Sequence, residues 1–250
     1  MKLSLVGAGP GDFELITLKA VRVIGEGNII LYDALASEEF LCYASAEAEI
    51  VYVGKRKGMH SVSQTEINRI IVENALAGKH VVRLKGGDPV VFGRGFEEME
   101  FAASFGIETQ LIPGISSSVA VPSMSNIPVT KRGVSESFWV LTGHTKDGEL
   151  PADMELAAKS NATIVVLMGI TKLPEICDIF MAEGKQRLPV GIIQNGTREN
   201  QKMLVGEVEN IVEAVKVTGI TNPAVIIFGE TVRSCPEYVE RKLKEEVMYA

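Results

Sequence analysis

Short apolar segments alternate with longer amphipathic segments along almost the entire chain, and this alternation limits the folds available to it. The short segments are typical of buried strands, and the longer ones are typical of helices that cover a sheet. Because a helix between two strands favours parallel pairing, the sequence predicts an α/β protein with mostly parallel sheets. A segment rich in proline, glycine and serine, 113–137, interrupts the pattern. We therefore predict α/β domains at 1–112 and 138–240, a linker at 113–137 and a charged tail at 241–250.

The second half of the chain repeats this arrangement without repeating the sequence. Strands are predicted there at 138–141, 162–167, 189–193, 203–205 and 222–228. In the first half, Ser63 and Glu66 have the spacing of a capping box, which predicts the start of a helix. The helical pattern continues from there to about Ala77.

One strand of the first half ends in a turn that is well suited to contact a ligand. An apolar run reaches Arg83 and is followed by Gly-Gly-Asp-Pro at 86–89. Backbone approaches a ligand closely at glycine, which has no Cβ, and Pro89 restricts the conformation of Asp88. Ligands of open α/β sheets bind at the carboxyl ends of strands. The segment 83–95 is therefore a candidate binding loop, although Gly-Gly-Asp-Pro by itself is also typical of an ordinary tight turn.

Composition restricts the class of partner. The formal net charge of -7 disfavours nucleic acid, whereas basic residues grouped at strand ends and turns suit a small polyanionic substrate. The three cysteines and three histidines show no disulfide framework and no metal-ligand spacing, so we expect no metal. No apolar segment is long enough to span a bilayer, and the chain shows no signal-peptide pattern. A cytoplasmic location is the expectation.

Two common enzyme signatures are matched only in part. The glycine-rich turn at 7–12 resembles a dinucleotide-binding motif, but its sixth position is Asp12, where close helix–strand packing needs Gly or Ala. Pro10 also removes a backbone N–H that a pyrophosphate would use. The segment 114–118 is not a nucleophile elbow, because it lacks glycine at position 118.

Nine short motifs occur in order along the chain. They are 6–12 (VGAGPGD), 31–33 (LYD), 53–56 (VGKR), 83–95, 113–117 (PGISS), 127–130 (IPVT), 141–144 (LTGH), 167–169 (LMG) and 195–197 (NGT). Together they make the chain similar to the uroporphyrinogen-III C-methyltransferases of the tetrapyrrole methylase superfamily. Ser116 to Ser118 replace a common Thr-Ala-Ala, and Lys131 replaces a common His.

The resemblance implies a fold and a reaction. The fold is the tetrapyrrole methylase fold, with a ligand cleft between two α/β domains. The reaction uses S-adenosyl-L-methionine to methylate uroporphyrinogen III at C2 and C7, which yields precorrin-2 and S-adenosyl-L-homocysteine. Relatives of this kind are homodimers that serve sirohaem and cobalamin biosynthesis, so the same assembly and pathways are implied here.

The resemblance also assigns residues to roles. Asp33 and Lys55 match the proton acceptor and the proton donor. The residues that match contacts to the methyl donor are Pro10, Gly86, Gly87, Asp88, Val91, Ser116, Ser117, Met168 and Gly196. Arginine binds carboxylates in a bidentate geometry, which suits it to the substrate. The candidates for that role are Arg56, Arg83, Arg94 and Arg132.

Three alternative functions stay open at this stage. The first is a methylase of a later precorrin, or a relative that modifies protein. The second is a nicotinamide-dependent oxidoreductase, which would be stabilised against heat by a different cofactor. The third is a tetrapyrrole carrier that binds the macrocycle without turnover.

Overall fold

The computed structural model describes residues 1–54 and 62–248, with side chains to residue 244. The chain separates into two compact units, Met1–Ser117 and Ser118–Ala250. Each unit contains one five-stranded sheet with helices packed on it. Within the described part of the chain, no helix has the length and apolar character needed to cross a membrane.

The sheet of unit 1 is entirely parallel. Its strands are β1 (Lys2–Gly7), β2 (Ile29–Tyr32), β3 (Glu49–Tyr52), β4 (His80–Lys85) and β5 (Glu108–Ile112), in the order β3-β2-β4-β1-β5. The connecting helices are α1 (Leu18–Gly25), α2 (Gln64–Leu76) and α3 (Gly95–Ala103), and short 3-10 helices occur at Phe13–Leu15 and Glu38–Tyr43. Helix α2 begins as the sequence predicts, because the Ser63 hydroxyl accepts a hydrogen bond from the backbone N–H of Glu66.

Strand residues of unit 1 alternate between two apolar layers. Leu5 and Val81 face the layer that α2 and α3 cover, whereas Ile30 and Val82 face the layer that α1 covers. Strand β4 departs from this apolar alternation at Arg83, which is buried on the α2/α3 side. A charged residue therefore occupies a position where the pattern of the strand calls for an apolar one.

Unit 2 has a mixed sheet. Its strands are β6 (Phe138–Thr142), β7 (Thr163–Leu167), β8 (Pro189–Gln194), β9 (Lys202–Glu207) and β10 (Ala224–Phe228), in the order β6-β7-β10-β8-β9. Its helices are α4 (Ser117–Met124), α5 (Asp153–Lys159), α6 (Leu173–Ala182), α7 (Val208–Thr218) and α8 (Pro236–Met248), with 3-10 helices at Ile170–Lys172 and Glu230–Ser234. Helix α4 starts at the last residue of unit 1. One face of the sheet packs against α5, α6 and α7, and the other against residues of α4 and α8.

The predicted α/β class with mostly parallel strands is confirmed, with a qualification in unit 2. All four pairings of the first sheet and the β6–β7 pairing are parallel. The other three pairings of the described strands, β7–β10, β10–β8 and β8–β9, are antiparallel. The short connection between β8 and β9 contains no helix, so these two strands form a hairpin instead of a crossover.

Helix α4 lies inside the segment that the sequence suggests as a linker. Val121 on this helix and Ile127 after it are buried in the apolar layer on one face of the second sheet. Gly191 of β8 permits this packing, because a Cβ there would come within 2.9 Å of the Ile127 side chain. Most of the segment is therefore integrated into unit 2.

Candidate functional site

The carboxyl ends of the unit 1 strands form one edge, and the candidate site lies on this edge. Because all five strands are parallel, the loops that follow β1, β2, β3, β4 and β5 leave the sheet at this edge. Helix α1, which follows β1, covers one face of the sheet, and α3, which follows the adjacent β4, covers the other. The chain thus leaves the neighbouring strands β1 and β4 towards opposite faces of the sheet. Open α/β sheets bind ligands at such a point.

Glycine backbones fill the edge beside β1 and β4. Gly9 and Gly87 exchange two backbone hydrogen bonds, with N–O distances of 3.2 and 2.6 Å. A Cβ on Gly7 would lie 2.8 Å from the carbonyl oxygen of Gly87, and one on Gly114 would lie 2.8 Å from Gly7 Cα. Only glycine permits this approach. Loops from β1, β4 and β5 are thus held in backbone contact.

Asp88 connects two of these loops. One carboxylate oxygen accepts from the backbone N–H of Val90 at 2.9 Å, and the other accepts from Gly114 N–H at 3.2 Å. Hydrogen bonds to a carboxylate are stronger than neutral ones. Asp88, predicted from the resemblance to contact the methyl donor, therefore also fixes the shape of the glycine-lined edge.

The other predicted donor contacts of unit 1 lie close to this edge. A Cβ on Gly86 would come within 2.7 Å of Leu35, so the loop after β2 packs directly on the loop after β4. Gly87 has a φ of +65°, and the position of a Cβ on it is 3.8 Å from the Ser117 nitrogen. The partly exposed residues among the predicted contacts are Pro10, Gly86, Gly87, Asp88, Val91, Ser116 and Ser117.

Asp33 follows β2 directly and is held by two hydrogen bonds. One oxygen accepts from Leu35 N–H at 3.0 Å, and the other accepts from Arg83 Nη2 at 2.7 Å. The Asp33 side chain keeps 23% of its surface exposed, whereas that of Arg83 keeps 3%. The predicted proton acceptor is therefore accessible and oriented, whereas the predicted substrate-binding arginine is buried behind it.

Two further charges lie behind Arg83. Glu98 on α3 is fully buried, accepts from Lys85 Nζ at 3.0 Å, and has an oxygen 3.6 Å from Arg83 Nε. Gln64 donates to the Lys85-bonded oxygen, also at 3.0 Å. Burial, and then the charge of Arg83, lowers the pKa of the Lys85 ammonium. Sequence reasoning missed Glu98, although the helical spacing of Gly95, Glu98 and Ala102 places it on the buried face of α3.

The remaining predicted substrate-binding and catalytic residues have different surroundings. Arg94 is exposed before α3 and donates to Glu97 at 2.6 and 3.0 Å, which raises the pKa of the Arg94 guanidinium. Arg132 is exposed in unit 2, in a turn closed by backbone hydrogen bonds between Lys131 and Ser135. The predicted proton donor Lys55 and the predicted substrate ligand Arg56 lie outside the described residues.

Two predicted donor contacts belong to unit 2. Met168 follows β7 with a φ of +58° and an exposure of 46%. Gly196 is buried, and a Cβ on it would come within 2.6 Å of a Val121 methyl group, so packing alone requires a glycine there.

Across the described residues, no group of three or more His, Cys, Asp or Glu side chains could hold a metal ion.

Comparison with known protein families gives the class to which this α/β fold and its glycine-lined edge belong. A family model described as Tetrapyrrole (Corrin/Porphyrin) Methylases matches residues 2–212. The chain belongs to the tetrapyrrole methylase family.

Individual relatives narrow the class. The uroporphyrinogen-III C-methyltransferase of Methanocaldococcus jannaschii is 48% identical over 233 residues, which are 92% of this chain and 96% of the relative. The S-adenosyl-L-methionine-dependent uroporphyrinogen III methyltransferase of Methanosarcina barkeri is 44% identical, with 92% of each chain covered. A solved uroporphyrin-III C-methyl transferase from Thermus thermophilus, complexed with S-adenyl homocysteine, has a TM-score of 0.80 and 37% identity, covering 93% of this chain and 99% of that one.

Proposed function

We propose that this chain transfers methyl groups from S-adenosyl-L-methionine to C2 and C7 of uroporphyrinogen III. The products are precorrin-2 and two molecules of S-adenosyl-L-homocysteine. The observation that carries the proposal is the identity of 48% to a uroporphyrinogen-III C-methyltransferase over nearly the full length of both chains. The glycine-lined edge with an accessible, oriented carboxylate beside it is consistent with this reaction.

The residues of the edge fit the methyl donor. Gly87 presents backbone without a Cβ next to the N–H and hydroxyl of Ser117, which suits a polar nucleoside approached by main-chain groups. In this proposal the donor is held by Pro10 and by the residues that match at 86–88, 91 and 116–117. Met168 and Gly196 of unit 2 are proposed contacts on the basis of the family resemblance alone.

The main task of the protein in this reaction is to position the two reactants. The donor supplies a methyl group on a sulfonium cation, and the sulfur leaves as a neutral thioether when a pyrrole carbon attacks. Holding that carbon in line with the methyl group supplies most of the rate. Asp33 accepts the proton that the macrocycle loses, and Lys55 donates one where the conjugation rearranges. Both assignments follow from the resemblance, and the local geometry of Asp33 supports its part.

The substrate is a polyanion with eight carboxylates, so cations must face it. Arg94 and Arg132 are exposed and serve this role in the proposal, together with Arg56. Arg83 is buried behind Asp33, so a substrate carboxylate does not reach it in this arrangement. We also propose, from the resemblance, that the chain forms a homodimer, works in the cytoplasm and feeds sirohaem or cobalamin biosynthesis.

The function is tested by incubating the purified chain with uroporphyrinogen III and methyl-labelled S-adenosyl-L-methionine under anaerobic conditions. We expect two labelled methyl groups per macrocycle and two equivalents of S-adenosyl-L-homocysteine. A trimethylated product, or turnover only with a later precorrin, would assign the chain to another methylase of the family. Binding of the macrocycle without methyl transfer would indicate a carrier.

Replacing Asp88 by Ala is expected to weaken S-adenosyl-L-homocysteine binding by at least about tenfold, or 1.4 kcal/mol. The variant loses the acceptor for two backbone N–H groups, Val90 and Gly114, so the loops after β4 and β5 are no longer fixed. Isothermal titration calorimetry measures the affinity. Asp178→Ala, at an exposed position on α6, is the matched control and keeps wild-type affinity. Affinity within twofold of wild type in Asp88→Ala would remove Asp88 from the donor site.

A further inference from the structure

Four charged side chains of unit 1 form a continuous cluster, which we call the charge cluster: Asp33, Arg83, Lys85 and Glu98. Arg83 Nη2 donates to Asp33 at 2.7 Å, and Lys85 Nζ donates to Glu98 at 3.0 Å. Arg83 Nε lies 3.6 Å from the second oxygen of Glu98. Two cations thus face two anions in a chain that runs from α3 through β4 to the end of β2.

Asp33 is the most exposed member of the charge cluster. The exposed fraction of the side chain is 0% for Glu98, 3% for Arg83, 8% for Lys85 and 23% for Asp33. Among these four described side chains, Asp33 is therefore the one most accessible to a ligand. The buried end lies under α2 and α3, where Gln64 also donates to Glu98. The cluster connects the interior of unit 1 to the candidate site.

Stability alone does not account for so many buried charges. Moving charges out of water is costly. Replacing buried ion pairs by well-packed apolar residues often leaves the stability of a protein unchanged or raises it. The cluster is also incompletely satisfied, because Arg83 Nε and Glu98 Oε2 make no hydrogen bond within the described part of the chain. Because burying these charges is costly, an effect of the cluster on the exposed Asp33 explains it better than stability does.

We propose that Arg83 and Glu98 are positioning residues that hold Asp33 in place for proton transfer. This inference rests on the proposed function. The Arg83 guanidinium is itself fixed, because Nη1 donates to the Leu84 carbonyl at 2.8 Å and Nε faces Glu98. Arg83 and Leu35 then bind opposite oxygens of Asp33, which sets the plane of its carboxylate.

Arg83 also holds the Asp33 carboxylate against electrostatic repulsion by the substrate. A polyanionic macrocycle that approaches Asp33 repels its carboxylate, and an unfixed side chain would turn away. The buried guanidinium, 2.7 Å from Asp33, opposes that repulsion in a region of low solvent exposure, where charges interact strongly. Arg83 thus acts on the reaction through Asp33, without contact to the substrate.

A double-mutant cycle tests the inference. Its variants are Arg83→Lys, Asp33→Asn and the pair, each assayed for kcat and KM with uroporphyrinogen III at saturating donor. Lysine keeps the charge but loses the planar group that bonds Asp33 and faces Glu98 together. We expect Arg83→Lys to lower kcat at least tenfold with KM within twofold of wild type. In the Asp33→Asn background, the same change is expected to alter kcat less than twofold.

Controls separate positioning from general damage. Arg69→Lys, on the exposed surface of α2 where Arg69 pairs with Glu66 and Glu73, keeps wild-type kcat. If Arg83→Lys does not fold, Glu98→Gln replaces it in the cycle, since it keeps the shape of the side chain and removes its charge. It is expected to lower kcat severalfold in wild type but not in Asp33→Asn.

Two outcomes overturn the inference. Effects on kcat that multiply in the double variant show that Arg83 does not act through Asp33. A raised KM with unchanged kcat shows direct substrate contact by Arg83 instead. An inactive wild-type chain is a different failure, because it contradicts the proposed function before the cycle is begun.

Discussion

An Asp33→Asn variant is expected to lose about 100- to 10,000-fold in kcat, the range found when a general acid or base is removed. Asparagine has nearly the same shape and still accepts from Arg83 or Leu35, but it does not take up a proton at neutral pH. The affinity for S-adenosyl-L-homocysteine stays within twofold of wild type, because the carboxylate acts on the macrocycle. Single-turnover kinetics with labelled donor, combined with calorimetry, measures both quantities.

The matched control is Asp178→Asn, an exposed aspartate on α6 of unit 2, which keeps the wild-type rate. A rate for Asp33→Asn within about threefold of wild type would show that another group accepts the proton. A lost affinity for the homocysteine product would instead place Asp33 among the donor contacts. Since the two outcomes affect different measured constants, one set of titrations and time courses distinguishes them.

The parallel sheet of unit 1 could be predicted because its evidence is local. Each of its first four strands is followed by a helical segment, and a strand–helix–strand sequence has one favoured arrangement. In unit 2 the sequence also predicts the strands but not which of them pair, and three of the four described pairings are antiparallel. Strand β10 lies between β7 and β8 and is antiparallel to both, and no pattern within Ala224–Phe228 specifies those neighbours.

The position of Asp33 at a strand end could likewise be predicted, but the environment of Arg83 could not. From the sequence, a cation at the end of an apolar run suggests a solvent-facing residue that binds an anion. Its burial depends on Glu98, which is fifteen positions further along and reaches it only after α3 folds onto the sheet. The pairing of Arg83 on β4 with Glu98 on α3 depends on the tertiary structure, so the sequence pattern of β4 alone does not predict it.

The sequence explains only part of the need for glycine at 86 and 87. The sequence indicates that Gly86 and Gly87 let a ligand approach the backbone. The structure adds contacts between segments far apart in the chain, in which Gly7 and Gly114 lie against Gly87. These contacts depend on the order β4-β1-β5, which the sequence did not specify.

A Gly7→Ala variant is therefore expected to be destabilised by about 3 kcal/mol or more and to bind S-adenosyl-L-homocysteine at least tenfold more weakly. The added Cβ meets backbone atoms of Gly114 and the carbonyl oxygen of Gly87, the latter at 2.8 Å. The backbone of the loops after β4 and β5 does not yield as a flexible side chain would, so these loops must move away from Gly7 and the edge must open. Urea unfolding and calorimetry measure the two effects.

Gly106→Ala is the control that isolates this cause. Gly106 lies in the turn between α3 and β5 with a φ of +73°, and a Cβ built there meets nothing within 4 Å, so alanine costs only the backbone strain of about 1–2 kcal/mol. Its donor affinity is expected to equal that of wild type. If Gly7→Ala loses no more stability than Gly106→Ala and binds the donor normally, the backbone contact does not form the site. If both variants are destabilised equally but only Gly7→Ala loses affinity, the contact shapes the site without contributing to the stability of the fold.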